Sequence, residues 1–157
     1  IASCLVGSEM CIRDRCLISQ YRYSMFDRTV EEKSLPLAAE QGSGFIAFSP
    51  LAQGLLTKKY LHGIPEHSRA ARSTGFLKVD QVTEDKVGKA RRLDEIAARR
   101  GQTLAEMALA WVLKDERMTS VIVGTSSVKQ LADNLHALDN LNFTNEELAE
   151  IEGILRL

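Results

Sequence analysis

Apolar residues in this chain fall into two kinds of run, and the two kinds alternate. Gly44 to Phe48 and Ser120 to Val123 are short and almost free of polar interruption. Runs of that kind suit strands covered on both faces, as in a parallel sheet. Leu17 to Tyr23 reads as a further strand with a polar end. Elsewhere the spacing lengthens. Val87, Ala90, Leu93, Ile96 and Ala97 recur at three- and four-residue steps, which predicts a helix over 84–100 closed by Gly101. Thr103-Leu-Ala-Glu106 has the spacing of a capping box and opens a helix with Met107, Ala110, Trp111 and Leu113 inward. Ser127-Val-Lys-Gln130 is a second box, ahead of Val128, Leu131, Leu135 and Leu138 on one side of a helix. Thr144-Asn-Glu-Glu147 is a third, opening the last helix. Pro36 is tolerated only in a first helical turn, so the helix before Gly42 starts at about Leu35. Strands alternating with helices predict a parallel α/β architecture. Three strands cannot close a barrel, and they leave two sheet edges open.

Composition narrows the class of protein. The 157 residues make one domain, long enough to bury a core. A formal net charge of −1 offers no basic footprint for nucleic acid. No apolar run approaches membrane-spanning length, and no secretory leader pattern is present. Cys4, Cys11 and Cys16 crowd together at one end, without the even pairing of a disulfide framework or the histidine spacing of a zinc site. The expectation is a reduced, cytoplasmic protein with no metal and no nucleic-acid or membrane partner.

The first residues have a different character. Cys4 to Asp14 shows neither helical period nor alternation. These eleven residues can be back-translated, in one frame, to a sequence that resembles the adapter of transposase-based sequencing libraries, Glu9 to Asp14 reading gag atg tgt ata aga gac. Residues 1–15 are therefore expected to be non-native and 16–157 to form the domain, its upstream part lost at the junction.

Two loops carry the candidate chemistry. A loop after a parallel strand lies at the carboxyl end of the sheet, where ligands bind. Gly124-Thr-Ser-Ser127 leads from such a strand into a helix, and small residues there let backbone amides and the helix dipole approach a phosphate. Gln130 and Asn134 follow one turn apart, with Asp133 beside them, so their side chains can reach one ligand. The other loop is Ser49-Pro-Leu-Ala-Gln-Gly-Leu-Leu-Thr-Lys-Lys-Tyr60, continued by Gly63-Ile-Pro-Glu-His-Ser-Arg69.

With Gln20-x-x-Tyr23 and the helix Ala108-Leu-Ala-Trp-Val-Leu113, these motifs resemble, in order and spacing, the aldo-keto reductase family. The match runs from Leu17 to about Ile154 and is nearest to the bacterial branch that holds glyceraldehyde 3-phosphate reductases and is similar to potassium-channel β subunits. The resemblance implies the last three strand-helix units of a (β/α)8 barrel and the cofactor NADPH. It implies that Gln20 holds the nicotinamide carboxamide and Phe48 packs on the ring. Ser49, Pro50, Leu51, Ala52 and Gln53 would run along the pyrophosphate, and Lys59 and Arg69 would close over the phosphates. With Gly124 in the phosphate loop, Ser126 would meet the 2′-phosphate with Gln130 assisting, and Asp133 and Asn134 would hold the adenine end.

There are departures from the family's pattern. Lys58 stands where glycine is common and is expected to crowd the loop, and Asp133 replaces a longer glutamate. The family's catalytic Asp, Tyr, Lys and His belong to earlier strands, and none maps onto this chain. His62 and His67 read as solvated loop residues, Tyr60 as non-catalytic and Trp111 as core. Glu146, Glu147 and Glu150 read as a solvated face, as do Arg91, Arg92, Arg99 and Arg100, and Lys129 as an exposed lysine. The implied parent reduces a small aldehyde or ketone, glyceraldehyde 3-phosphate being the best match, in an oligomer or alone. The rival readings are a redox-sensing NADPH-binding module and a truncated product with no function.

Overall fold

The computed structural model describes residues 16–61, 63–65, 77 and 79–156. The segment expected to be non-native, with Cys4 and Cys11, lies outside them, as do His62, His67 and Arg69. Three strands, β1 (Ile18–Arg22), β2 (Gly44–Phe48) and β3 (Ser120–Ile122), form one parallel sheet in the order β1-β2-β3. Among the described residues five α-helices accompany them: α1 (Ser34–Glu40), α2 (Glu84–Arg99), α3 (Leu104–Leu113), α4 (Val128–Leu135) and α5 (Asn145–Arg156). Among the described residues, no helix is long and apolar enough to cross a membrane.

The helices form where local chemistry stops their ends from fraying. Pro36 lies in the first turn of α1, where its missing N–H costs nothing. The Thr83 hydroxyl accepts from Lys86 N at the start of α2, and Gly101, at φ 69°, closes its end. Thr103 and Glu106 form the reciprocal capping box of α3, and Thr144 with Glu147 does the same for α5. Helix α3 is buried nearly all round, with Met107 through Val112 out of solvent. It is therefore the central helix, packed on β3, α2 and α4.

Among the described residues the strands are covered on one face only, contrary to the reading of their apolar runs. In β2 only Phe45 and Ala47 are fully buried, against the helices, while Ile46 is half-buried and Phe48 is exposed. Register carries this alternation across the sheet. Ile46 pairs with Gln20 on one side and Ser120 on the other, and Phe48 with Arg22 and Ile122, so these six residues share the face that no described helix covers. Continuous apolarity had two causes, a core on one side and an open apolar face on the other. Helix α4 shows the same imbalance: Val128, Leu131, Leu135 and, on the 3-10 turn beyond it, Leu138 share a side as expected but are 42% to 85% exposed.

Three of the four arginines expected on a solvated face have partners, Arg99 pairing with Glu150 while both stay exposed. Arg100 has only 3% of its side chain exposed; it pairs with Glu147 at 2.6 Å, donates to the Asn142 carbonyl at 2.9 Å and lies over the Phe143 ring. Glu147 is thereby also withdrawn from the solvated face. Arg91 donates to the Leu61 carbonyl, tying α2 to the loop after β2. Trp111 is core as read, and it carries Lys114 Nζ 3.8 Å from its ring centroid and Arg28 at 5.3 Å. Burial pushes the Lys114 ammonium below its ordinary value.

Arg28 fastens the loop after β1 to the helix layer. It donates to both oxygens of Glu31 and to Glu152 on α5, while Tyr23 donates to Glu31 at 2.7 Å. The hydrogen bond from Arg28 holds the Glu152 carboxyl below its ordinary value of 4.5. A depressed carboxylate contributes stability above the unfolded-state value, and that contribution is lost as pH falls through the folded one. Arg28→Gln is expected to cost about 1.5–3 kcal/mol at pH 7, the scale of charged hydrogen bonds. The deficit should narrow on acidification below pH 4.5, because wild type then loses the same interaction. Urea titrations of both chains across pH would read it, and a deficit independent of pH would contradict it.

Candidate functional site

The loop that leaves β2 is strained at its start. Ser49, Ala52 and Gln53 adopt φ values of 55°, 48° and 60°. L-residues in this left-handed region cost on the order of 1–2 kcal/mol each, so surrounding contacts must hold them. Ala52 N bonds to Ser49 O at 2.9 Å and Gly54 N to Leu51 O at 2.9 Å, and Gln53 Nε2 donates to Ser49 Oγ at 2.9 Å. The chain then dives inward at Leu55, Leu56 and Tyr60.

Across from this turn runs the loop after β3. Between them is a cavity of about 680 Å³. From the first loop it is lined by Phe48, Ser49, Pro50, Leu51, Gln53 and Lys59, and from the second by Gly124, Ser126 and Gln130. Nine of the residues singled out in the sequence thus meet around one space. The volume is in the range of small-molecule and cofactor sites.

The remaining five are placed otherwise. Gln20 does not line the cavity; it lies on the open sheet face, one row before Phe48. Ala52 is buried and turned to a neighbouring space beyond Phe48. Asp133 is tied to Lys129 Nζ at 2.7 Å, so Lys129 is exposed as expected but not unpartnered. Asn134 is buried, and its Nδ2 has no hydrogen-bond partner among the described residues. Arg69 lies outside the described residues.

Two further details differ from the sequence reading. The second capping box is half formed: Ser127 accepts from Gln130 N, but the Gln130 amide oxygen turns to Ser126, accepting from its N at 2.9 Å and its Oγ at 3.1 Å. Two donors therefore converge on one acceptor position at the start of α4, the arrangement that a phosphoryl oxygen requires. Lys58 does not crowd the loop; it points to Asp94 on α2 at 3.7 Å and is absent from the cavity wall.

Gly54, Thr57, Tyr60, Ile122 and Val123 complete the lining; Tyr60 was read in the sequence only as non-catalytic, and the other four were given no role. Thr57 had a legible signal. It sits two residues before Lys59, and its hydroxyl accepts from Lys59 N at 3.2 Å while donating to Gly54 O at 2.7 Å, which fixes the turn that presents Lys59. Among the described residues no group of His, Cys, Asp and Glu could hold a metal ion.

The donor set suits an extended dinucleotide phosphate. Lys59, the Ser126 donors and the small Gly124 backbone face the space from both sides. The aldo/keto reductase family model matches residues 13–156. The chain is 49% identical over 140 residues to L-glyceraldehyde 3-phosphate reductase of Escherichia coli O157:H7, and 46% identical over 140 residues to the protein of the same name from Escherichia coli strain K12. Each alignment covers 87% of this chain and 40% of the relative, so the chain spans well under half the length of the relatives it matches. With a family match over most of its residues, this chain belongs to the aldo/keto reductase family.

Proposed function

We propose that the chain carries most of the NADPH site of a reductase that converts small aldehydes or ketones to alcohols, and that its sheet is the last three strand-helix units of a (β/α)8 barrel. The observation that carries this reading is the single cavity that gathers Phe48 and the Ser49 loop against Gly124, Ser126 and Gln130. The sheet face and two strand edges left open among the described residues, with the apolar side of α4, support the barrel, because further strand-helix units would cover all three at once.

In this reading the strained loop from Ser49 to Gln53 follows the pyrophosphate, and Lys59 closes over it with Arg69. Ser126 and Gln130 take the 2′-phosphate, and Asn134 with Asp133 holds the adenine. Gln20 and Phe48 share the open face at the other end, the amide to hold the nicotinamide carboxamide and the ring to pack against the base. NADPH, when bound, supplies the hydride. The proton donor belongs to that part of the relatives' length which this chain does not span. The chain alone is therefore expected to turn over no substrate. The relatives' name makes glyceraldehyde 3-phosphate the first carbonyl compound to assay. The reading places the protein in the cytoplasm.

Fluorescence titration with NADPH and NADH tests the site. The isolated chain should bind NADPH weakly, with Kd above ~10 μM, about −7 kcal/mol, and should prefer it to NADH. Ser126→Asp sets a like charge against the 2′-phosphate and should weaken NADPH binding by about tenfold or more while leaving NADH unchanged. Equal binding of the two nucleotides by wild type would remove the 2′-phosphate assignment, and no binding of either would remove the site.

A further inference from the structure

Three buried side-chain polar atoms have no hydrogen-bond partner among the described residues: Ser43 Oγ, the Tyr60 hydroxyl and Asn134 Nδ2. Of the three residues, Tyr60 alone lines the 680 Å³ cavity. A buried donor left unpaired costs free energy that a phenylalanine of the same shape would not. Burial of the ring stabilises the loop, and the hydroxyl works against it. A group held in that condition beside a cavity calls for a physical reason.

The surrounding hydrogen bonds show from which side its partner comes. Tyr60 is 1% exposed and ends the 3-10 turn Lys58–Tyr60, directly after Lys59. Its ring lies against Gly54. A methyl group at Gly54 would stand 3.4 Å from Tyr60 Cε2, the ring carbon next to the one that bears the hydroxyl. The hydroxyl end of the ring is therefore at the Gly54 turn, and Gly54 is itself part of the cavity wall. The polar groups of that turn are already committed. Gly54 N donates to Leu51 O at 2.9 Å, Gly54 O accepts from the Thr57 hydroxyl at 2.7 Å, and Gln53 Nε2 donates to Ser49 Oγ at 2.9 Å. None of them turns to Tyr60. The remaining side is the cavity, which Lys59 lines as well. A neutral donor and a cation on consecutive residues of one wall suit an anionic oxygen.

We propose that Tyr60 is a further ligand-binding residue of this cavity, its hydroxyl donating to a diphosphate oxygen of the bound dinucleotide. The proposal rests on the NADPH reading, in which this loop follows the pyrophosphate. The hydroxyl is sealed from solvent as the loop stands, so a small shift of the ring or of the Gly54 turn accompanies the contact. The diphosphate is common to NADPH and NADH, so the hydroxyl adds affinity for both and selects neither. Stability and binding thus pull in opposite directions at one atom: the donor weakens the free loop and is satisfied by the ligand.

Tyr60→Phe tests the assignment by two measurements on the 157-residue chain. One is urea titration of the free protein; the other is calorimetric titration with NADPH, NADH and inorganic pyrophosphate. The variant should keep or raise the wild-type urea midpoint, because the hydroxyl it loses has no partner in the chain. It should bind NADPH and NADH about tenfold more weakly, both by the same factor, and pyrophosphate more weakly too. A lowered urea midpoint would assign the hydroxyl a partner within the protein and overturn the proposal. Unchanged affinity for both nucleotides would overturn it as well and leave the cofactor reading standing. A loss confined to NADPH would move the hydroxyl to the 2′-phosphate and overturn the diphosphate assignment. Tyr60-dependent binding of pyrophosphate, with no binding of either nucleotide, would uphold the donor's role and end the cofactor reading. A wild type that binds none of the three would end both.

Discussion

The register of β2 between its two neighbours is the constraint on which the rest of the structure depends. Side chains alternate along a strand, so a slip of one residue would carry Phe45 and Ala47 out of the core and Phe48 into it. Several contacts prevent the slip. Phe45 exchanges two hydrogen bonds with Thr119, its N donating to the hydroxyl at 3.0 Å and its carbonyl accepting from the backbone at 2.9 Å. Gly44 bonds to Leu17 O at 2.8 Å, and a side chain there would press on Thr119 Oγ1 at 3.2 Å and on Leu17 O at 3.3 Å. On the core face, Tyr21 stacks on Phe45 with ring centroids 5.3 Å apart. Core and site are thus set by one pairing, since the residue after the register ends is Ser49.

A strand fixed at its end can support a turn that would not hold itself. Three left-handed residues cost a few kcal/mol between them, on the order of 1–2 each. Burying Leu55, Leu56 and Tyr60 just downstream contributes roughly 1.5–3 kcal/mol for each side chain. The burial outweighs the strain, so the turn persists without a ligand's help. The Gln53–Ser49 hydrogen bond and the Thr57 turn then orient the loop rather than stabilise it to any great extent. A loop shaped in advance spends less of a ligand's binding energy on ordering.

What could be read from the sequence, and what could not, divides along one physical line. Local chemistry was legible. Thr83, Thr103 and Thr144 cap helices, Gly101 ends one, and Pro36 sits in a first turn, because each effect needs only a few neighbouring residues. The family motifs were legible too, and nine of their residues line one cavity. What failed depends on residues far apart in sequence. The apolar runs of β2 and β3 do not say which face is covered, and the stripe of α4 reads the same whether buried or open. Arg100 looked like a surface residue until Glu147 and Phe143, more than forty positions on, arrived beside it. Gln130 fits a capping box by spacing, but its amide had a nearer use at Ser126.

The shared wall between the 680 Å³ cavity and the neighbouring space beyond Phe48 gives the fold a functional logic. Phe48, Ser49 and Gln53 belong to both spaces, and all three lie within six residues at the end of the central strand. Whatever occupies one cavity is therefore held at a fixed distance from whatever occupies the other. That distance is set by the pairing of β2 with β1, which also fixes Arg22 beside Phe48. A single strand register, locked by Thr119 and Gly44, thus fixes the walls of both spaces together, and the left-handed turn from Ser49 to Gln53 is the thin partition between them.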